Sequence, residues 1–192
     1  MRALVCLSHL LARIALVAGR VGAWACVPLI ALIMVDVIAR RFFAVGSTML
    51  QELQWHLHAV LFLSCIGFAY MRGSHVRIDL VREHLSERAR TVLEALGCAF
   101  ILLPFCIVMI WYSVDIAWRS YLQGEGSPNP GGLPHWWIIK SAVPLGMLLT
   151  AIAGVAVLLR KLVLLFGPQE LAIAVADAER AETTTATSDR RS

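Results

Sequence analysis

Four stretches of this chain contain no charged side chain: residues 21–35, 53–71, 95–114 and 141–159. A helix of about 20 apolar residues, rising about 1.5 Å per residue, crosses the hydrocarbon core of a bilayer. In lipid the backbone must satisfy its own N–H and C=O groups, and windows this long are helices rather than barrel strands. The first window reaches spanning length once Arg20 snorkels to one interface and the helix carries Asp36 to the other. Composition agrees: 59% of the 192 residues are hydrophobic and 16% charged, with mean hydropathy +0.73. Typical soluble domains are about 45–50% apolar and about 25% charged. These figures exclude a disordered chain, a disulfide-rich secreted module and an ordinary soluble enzyme. The expected fold is an all-α integral membrane protein with four transmembrane helices. The domain runs over 14–167, with spans at about 14–38, 53–71, 92–117 and 136–163. Residues 1–13 form a segment before it and residues 168–192 a tail whose Thr/Ser-rich end reads as disordered.

Basic residues set the orientation. Arg2, Arg13 and Arg20 precede the first span; Arg72, Arg77, Arg82, Arg88 and Arg90 lie between the second and third; Arg160, Lys161, Arg180, Arg190 and Arg191 follow the fourth. The other side holds only Arg40, Arg41, Arg119 and Lys140. The positive-inside rule then places both termini in the cytoplasm, and the net charge of +4 reads as basic inner loops rather than as a nucleic-acid surface. Trp55, Trp118, Tyr121, Trp136 and Trp137 fall at the outer interface, where amphipathic rings prefer to sit. The outer stretch 124–134, GEGSPNPGGLP, reads as a turn-rich connection. The apolar run at the start continues past Trp24 to Val35, so the N-terminal segment reads as retained rather than as a cleaved signal.

Little in the spans can carry chemistry. Cys6, Cys26, Cys65, Cys98 and Cys106 form no CxxC pair and read as small hydrophobes, so no metal or cofactor is assigned. Haem ligation needs histidines on facing helices. His56 and His58 share one span two residues apart, and the other spans hold none. Asp36, Glu52 and Asp115 lie near outer helix ends and Glu94 near an inner one, so no acid occupies a span centre. Asp36 and Arg40, spaced i,i+4, can pair along one helix face. Ala142, Gly146, Thr150 and Gly154 recur every four residues, as do Ala15, Gly19 and Ala23. Such small-residue stripes let helices approach closely in lipid. They read either as packing within this unit or as docking against another subunit. Lys140, about one turn into the fourth span, reads as snorkelling to the outer interface or meeting an acidic partner.

Arg72-Gly73-Ser74-His75-Val76-Arg77-Ile78-Asp79 resembles the R-x-G-x-H-[IV]-x-[VI]-D signature of the small membrane subunit of tripartite ATP-independent periplasmic (TRAP) transporters, the DctQ type. The Asp36–Phe43 stretch, containing Arg40, is similar to that family's end of helix one, and Glu52 stands where the family carries the second of two acids. Gln51 replaces the first acid, and the tryptophan often found before the pair is missing. Residues 126–134, with Trp136 and Ile139-Lys140, resemble one subgroup, and the whole likeness runs over about 14–166. In the signature loop Asp79 can cap a short interfacial helix at about 80–85, and His75 can bond to Asp79.

The resemblance implies a non-catalytic accessory subunit of a sodium-gradient-driven importer of small organic anions, in the bacterial inner membrane. Its implied partners are the large membrane subunit and a periplasmic binding protein. The alternatives are a membrane anchor for an electron-transfer or quinone-linked complex, and an autonomous small exporter.

Overall fold

A computed structural model describes residues 2–44, 46–72, 86–168 and 171. Its helices are α1 (Arg2–Ala23), α2 (Cys26–Phe43), α3 (Thr48–Met71), α4 (Glu87–Gly97), α5 (Leu103–Leu122) and α6 (Trp137–Phe166), with a π turn, Cys98–Leu102, joining α4 to α5. No strand occurs among the described residues. Four helical rods are long and apolar enough to cross a membrane: Ala3–Phe43, Thr48–Met71, Arg88–Leu122 and Trp137–Phe166. The expected four-span, all-helical class is therefore present. The first rod begins at the start of the chain and continues through α1 and α2.

Local chemistry explains the interruptions. Pro28 lacks an N–H, and its ring crowds the carbonyl four residues back, at Trp24. There the ladder tightens: Ala25 N–H donates to Gly22 O at 3.0 Å and Val27 N–H to Trp24 O at 3.2 Å. Pro104 imposes the same conflict on the carbonyl of Phe100, and the backbone widens into the π turn, with Leu103 N–H reaching Cys98 O. Ser47 and Ser86 cap α3 and α4 by accepting from Leu50 N–H at 3.4 Å and Ala89 N–H at 3.3 Å. Ala44, in the left-handed region at φ 52°, closes α2.

The charges mark a common length. Arg20 to Arg40, Glu52 to Arg72, Glu94 to Asp115 and Lys140 to Arg160 are each separated by about 20 residues, or about 30 Å of helix. Asp36 lies inside the first of these intervals and pairs with Arg40. One end of the molecule, the loop end, thus gathers Arg40, Glu52, Asp115 and Lys140. The other, the termini end, gathers Arg20, Arg72, Glu94 and Arg160.

Helix α6 is the hub, touching α1, α3, α4 and α5, while α2 leans on α3. Glycine sets these approaches. A Cβ on Gly67 would lie 3.0 Å from the Leu149 carbonyl oxygen, and one on Gly146 would lie 2.7 Å from Leu63 Cβ. These pairs advance together along the two chains, so α3 and α6 run parallel with backbones nearly in contact. Gly19 faces Phe68 and Gly22 faces Ser64, which sets α1 antiparallel to α3. Gly154 meets Leu102 and Cys98 of the α4–α5 junction, and Cys98 Sγ donates to the Gly154 carbonyl at 3.1 Å. The buried set is small-sided: Ala12, Ala15, Cys106, Ala153 and Ala156 are at most 2% exposed. Lipid gives no hydrophobic drive for helix association, so this fit supplies dispersion contacts that larger residues would prevent.

Two alanine substitutions separate close packing from open space. Gly146→Ala forces a methyl into Leu63 and lowers stability by about 1–3 kcal/mol. Nothing lies within 4 Å of a Cβ on Gly97, so Gly97→Ala raises stability by up to about 1 kcal/mol. Thermal unfolding of both variants in one detergent checks the opposite signs.

Candidate functional site

A dense polar constellation lies at the loop end, around Glu52. Its side chain, one turn into α3, has 0% of its surface exposed. A buried carboxylate needs donors, and the 123–136 loop provides them. Ser127 Oγ donates to Oε1, Asn129 Nδ2 donates to Oε1 at 3.2 Å, and Leu133 N–H donates to Oε2 at 2.7 Å. The acid thus binds a segment more than 70 residues away in sequence.

The loop's composition suits that task. Gly124, at φ 58°, ends α5 in a Schellman arrangement, with Gly124 N–H to Tyr121 O at 3.1 Å and Glu125 N–H to Ser120 O at 3.0 Å. Asn129-Pro130-Gly131-Gly132 has the signature of a type II turn, with Gly131 at φ 73° and Gly132 N–H donating to Asn129 O at 3.1 Å. A Cβ on Gly132 would lie 2.3 Å from Ser127 Oγ and 2.8 Å from Glu52 Oε1, so a glycine is required where the loop closes over the acid. Ser127 Oγ also accepts from Asn129 N–H at 3.0 Å, and Ser127 N–H donates to Leu133 O at 3.0 Å.

Two further ties flank this site. Lys140 of α6 pairs with Glu125, while Trp136 N–H donates to the Glu125 carbonyl at 2.9 Å. The Lys140 hydrogen bond holds the Glu125 carboxyl below its ordinary 4.5, against a weaker upward push from burial. On the other side, Arg40 Nε donates to Asp36 Oδ2 at 3.0 Å. Gln51 turns its amide toward the same guanidinium. With its oxygen assigned to that side, it accepts from Nη1 at 3.1 Å and also from Nη2. Asp36, Arg40, Gln51, Glu52, Glu125 and Lys140 therefore fasten α2, α3, the loop and α6 at one end.

Arg40, Glu52 and Lys140 are thus brought to one end of the molecule, and the Asp36–Arg40 spacing forms its pair. Gly19, Gly146, Thr150 and Gly154 lie buried in helix contacts, with Thr150 Oγ1 donating to Gly146 O at 2.9 Å; Ala142 is half-buried and Ala23 exposed. Gly73, His75 and Asp79, with the interfacial helix at about 80–85, lie outside the described residues, as do 169–170 and 172–192 of the tail. Sequence reasoning missed the loop residues Ser127, Asn129 and Leu133 as partners of Glu52, and Glu125 as the partner of Lys140. No local sequence signal marks the Glu52 contacts, because its partners lie 75 to 81 residues away.

His56 Nδ1 donates to the Glu52 carbonyl at 2.6 Å, and its ring meets Trp136 edge-on at 6.3 Å. His58 lies exposed on another face of α3. No group of three His, Cys, Asp or Glu side chains able to hold a metal occurs among the described residues. Trp118, Tyr121 and Trp137 cluster beside this end, lining an apolar cavity of about 310 Å³ between α5 and α6.

Two measurements probe these ties. Glu52→Gln puts an amide donor against groups that already donate; Leu133 amide exchange is expected to accelerate roughly tenfold or more. Unchanged exchange would mean that the acid does not hold the loop. Because the Glu125 value is lowered on folding, its pairing stabilises fully above pH 4.5 and is lost as pH falls through the lowered value. A carboxyl NMR titration should therefore find Glu125 below 4.5 in the native chain, and Lys140→Met should return it toward that value.

Comparison with known proteins agrees with the architecture. A search of curated proteins returned no match. The family described as tripartite ATP-independent periplasmic transporters, DctQ component, matches residues 29–164, from α2 to the last turn of α6. With four apolar rods and a match over most of its length, the chain belongs to the DctQ family and is a small membrane subunit of the TRAP transporter type.

Proposed function

We propose that this chain is the non-catalytic helical scaffold of a sodium-gradient-driven importer of small organic anions, packed in the bacterial inner membrane against the large membrane subunit. The observation that carries the reading is how its polar groups are used. A transport site needs broken helices and polar groups near the midplane. The described spans have no charged side chain between their end markers apart from Asp36, which is tied to Arg40. Asp115 meets Arg119 at 2.9 Å and Glu94 meets Lys161 at 3.2 Å. Thr150, near the centre of α6, donates to its own helix.

The surface supports the partner role. Helix α2 buries only Leu29 and Asp36, and α5 exposes Phe105, Ile107, Val108 and Trp111 by 52–77%. Such apolar faces suit lipid and a larger membrane protein alike. In this reading both termini are cytoplasmic, which the excess of basic residues on that side supports. The loop end faces the periplasm, and the 124–134 loop, held rigid by Glu52, lies beside the docked binding protein.

Purification from native membranes tests the reading. The chain is expected to bring down a large multi-span permease, and its deletion to abolish uptake of the bound solute. A chain that purifies alone, with uptake unchanged by its deletion, would overturn the scaffold role.

A further inference from the structure

Among the described residues, φ lies in the left-handed region at Ala44, Gly124, Gly131 and His135. Glycine adopts that conformation freely, whereas a Cβ makes it unfavourable. Gly124 and Gly131 serve the turns of the 123–136 loop, yet the last turn before α6 is made by His135 at φ 60°. Its backbone has a clear task there, since the carbonyl accepts from Ile138 N–H at 3.1 Å as α6 begins. Glycine would do this equally well. The imidazole is exposed and makes no hydrogen bond, ion pair or ring contact among the described residues. A strained position that holds a side chain without an internal partner is a mark of function.

The surroundings define what that side chain meets. Pro128, Pro130 and Pro134 are exposed on the same loop. Their rings are rigid and carry no N–H. The loop beneath them is fixed through Glu52 and through Glu125 with Lys140, so a partner finds little left to order. Charge has little to add. Segments 36–52 and 115–140 hold four cations and four carboxylates, so the net +4 of the chain lies elsewhere. Glu52 is buried, and Arg40, Arg119 and Lys140 are already paired within the chain. These features fit a folded, water-soluble protein with a largely uncharged contact face, rather than a polyanion.

We propose that Pro128, Pro130, Pro134 and His135 form the docking ridge for the transporter's soluble binding protein, with the imidazole as its hydrogen-bonding contact. This rests on the reading of the chain as a small subunit whose loop end faces the periplasm. Affinity at the ridge comes from shape and hydrogen bonding, and it changes little between low and high salt.

The test uses the full-length chain with its large subunit in nanodiscs and the binding protein of the same transporter in solution. Labelling of His135 by diethylpyrocarbonate, read by mass spectrometry without any substitution, is expected to fall severalfold when the binding protein is added. His135→Gly relieves the left-handed strain, so its melting temperature is expected to hold or rise while binding weakens roughly tenfold. A binding protein that associates while His135 stays labelled, or that binds the variant equally well, overturns the ridge and leaves the small-subunit reading intact. Binding lost together with stability assigns His135 to the fold and overturns its contact role. Affinity that collapses in high salt overturns the uncharged contact. A wild-type chain that associates with neither protein overturns the small-subunit reading, and the ridge with it.

Discussion

Association of apolar helices in lipid has little hydrophobic drive, because a leucine gains almost nothing by leaving one hydrocarbon environment for another. What remains is contact at short range, and the structure obtains it where side chains are absent. Gly67 and Gly146 let α3 and α6 run parallel at backbone distance, while Gly19, Gly22 and Gly154 admit Phe68, Ser64 and Leu102. Every other span takes its place from that pair: α1 rests on both helices, α5 on α6 and α2 on α3. The buried residues are mostly alanine, cysteine and serine because a close approach leaves no room for more.

Polar chemistry then works at the ends. Fully removed from water, the Glu52 carboxylate would be costly if left alone, yet it is surrounded by donors from Ser127, Asn129 and the Leu133 amide. Its cost becomes a source of order for a loop rich in proline and glycine. Glu125 with Lys140, and Asp36 with Arg40 and Gln51, repeat the principle nearby. The termini end is held by Glu94 with Lys161 and Arg90. Between these fastened ends the described spans carry no charged side chain apart from Asp36, which is tied to Arg40.

Much of this was legible in sequence because it is local. Four uncharged windows specify four helices, since lipid permits no other spanning backbone for segments of that length. The Asp36–Arg40 pair follows from one helical turn, and the glycine stripe in α6 follows from its four-residue period. Glu52 was visible as an acid at a helix end but not as the anchor of a loop, because its partners lie 75 to 81 residues away and one of them is a backbone N–H. Lys140 posed a similar problem. Its two sequence readings, snorkelling or meeting a partner, resolve into an ion pair with Glu125 inside the same chain. The stripe of α1 was partly visible: Ala15 and Gly19 are buried, whereas Ala23 is exposed and the row continues back through Ala12 and Ser8.

By itself, then, the sequence determined the environment, the number of spans and the family, all of which depend on local hydrophobicity and on short ordered motifs. Tertiary structure decided which small residues face which helix, and that the most buried carboxylate binds the outer loop. The physical reason is range. Hydropathy and helical periodicity act within a few turns and can be read along the chain. Backbone approach and hydrogen-bond satisfaction depend on which distant segments meet, and that is settled only when the helices pack.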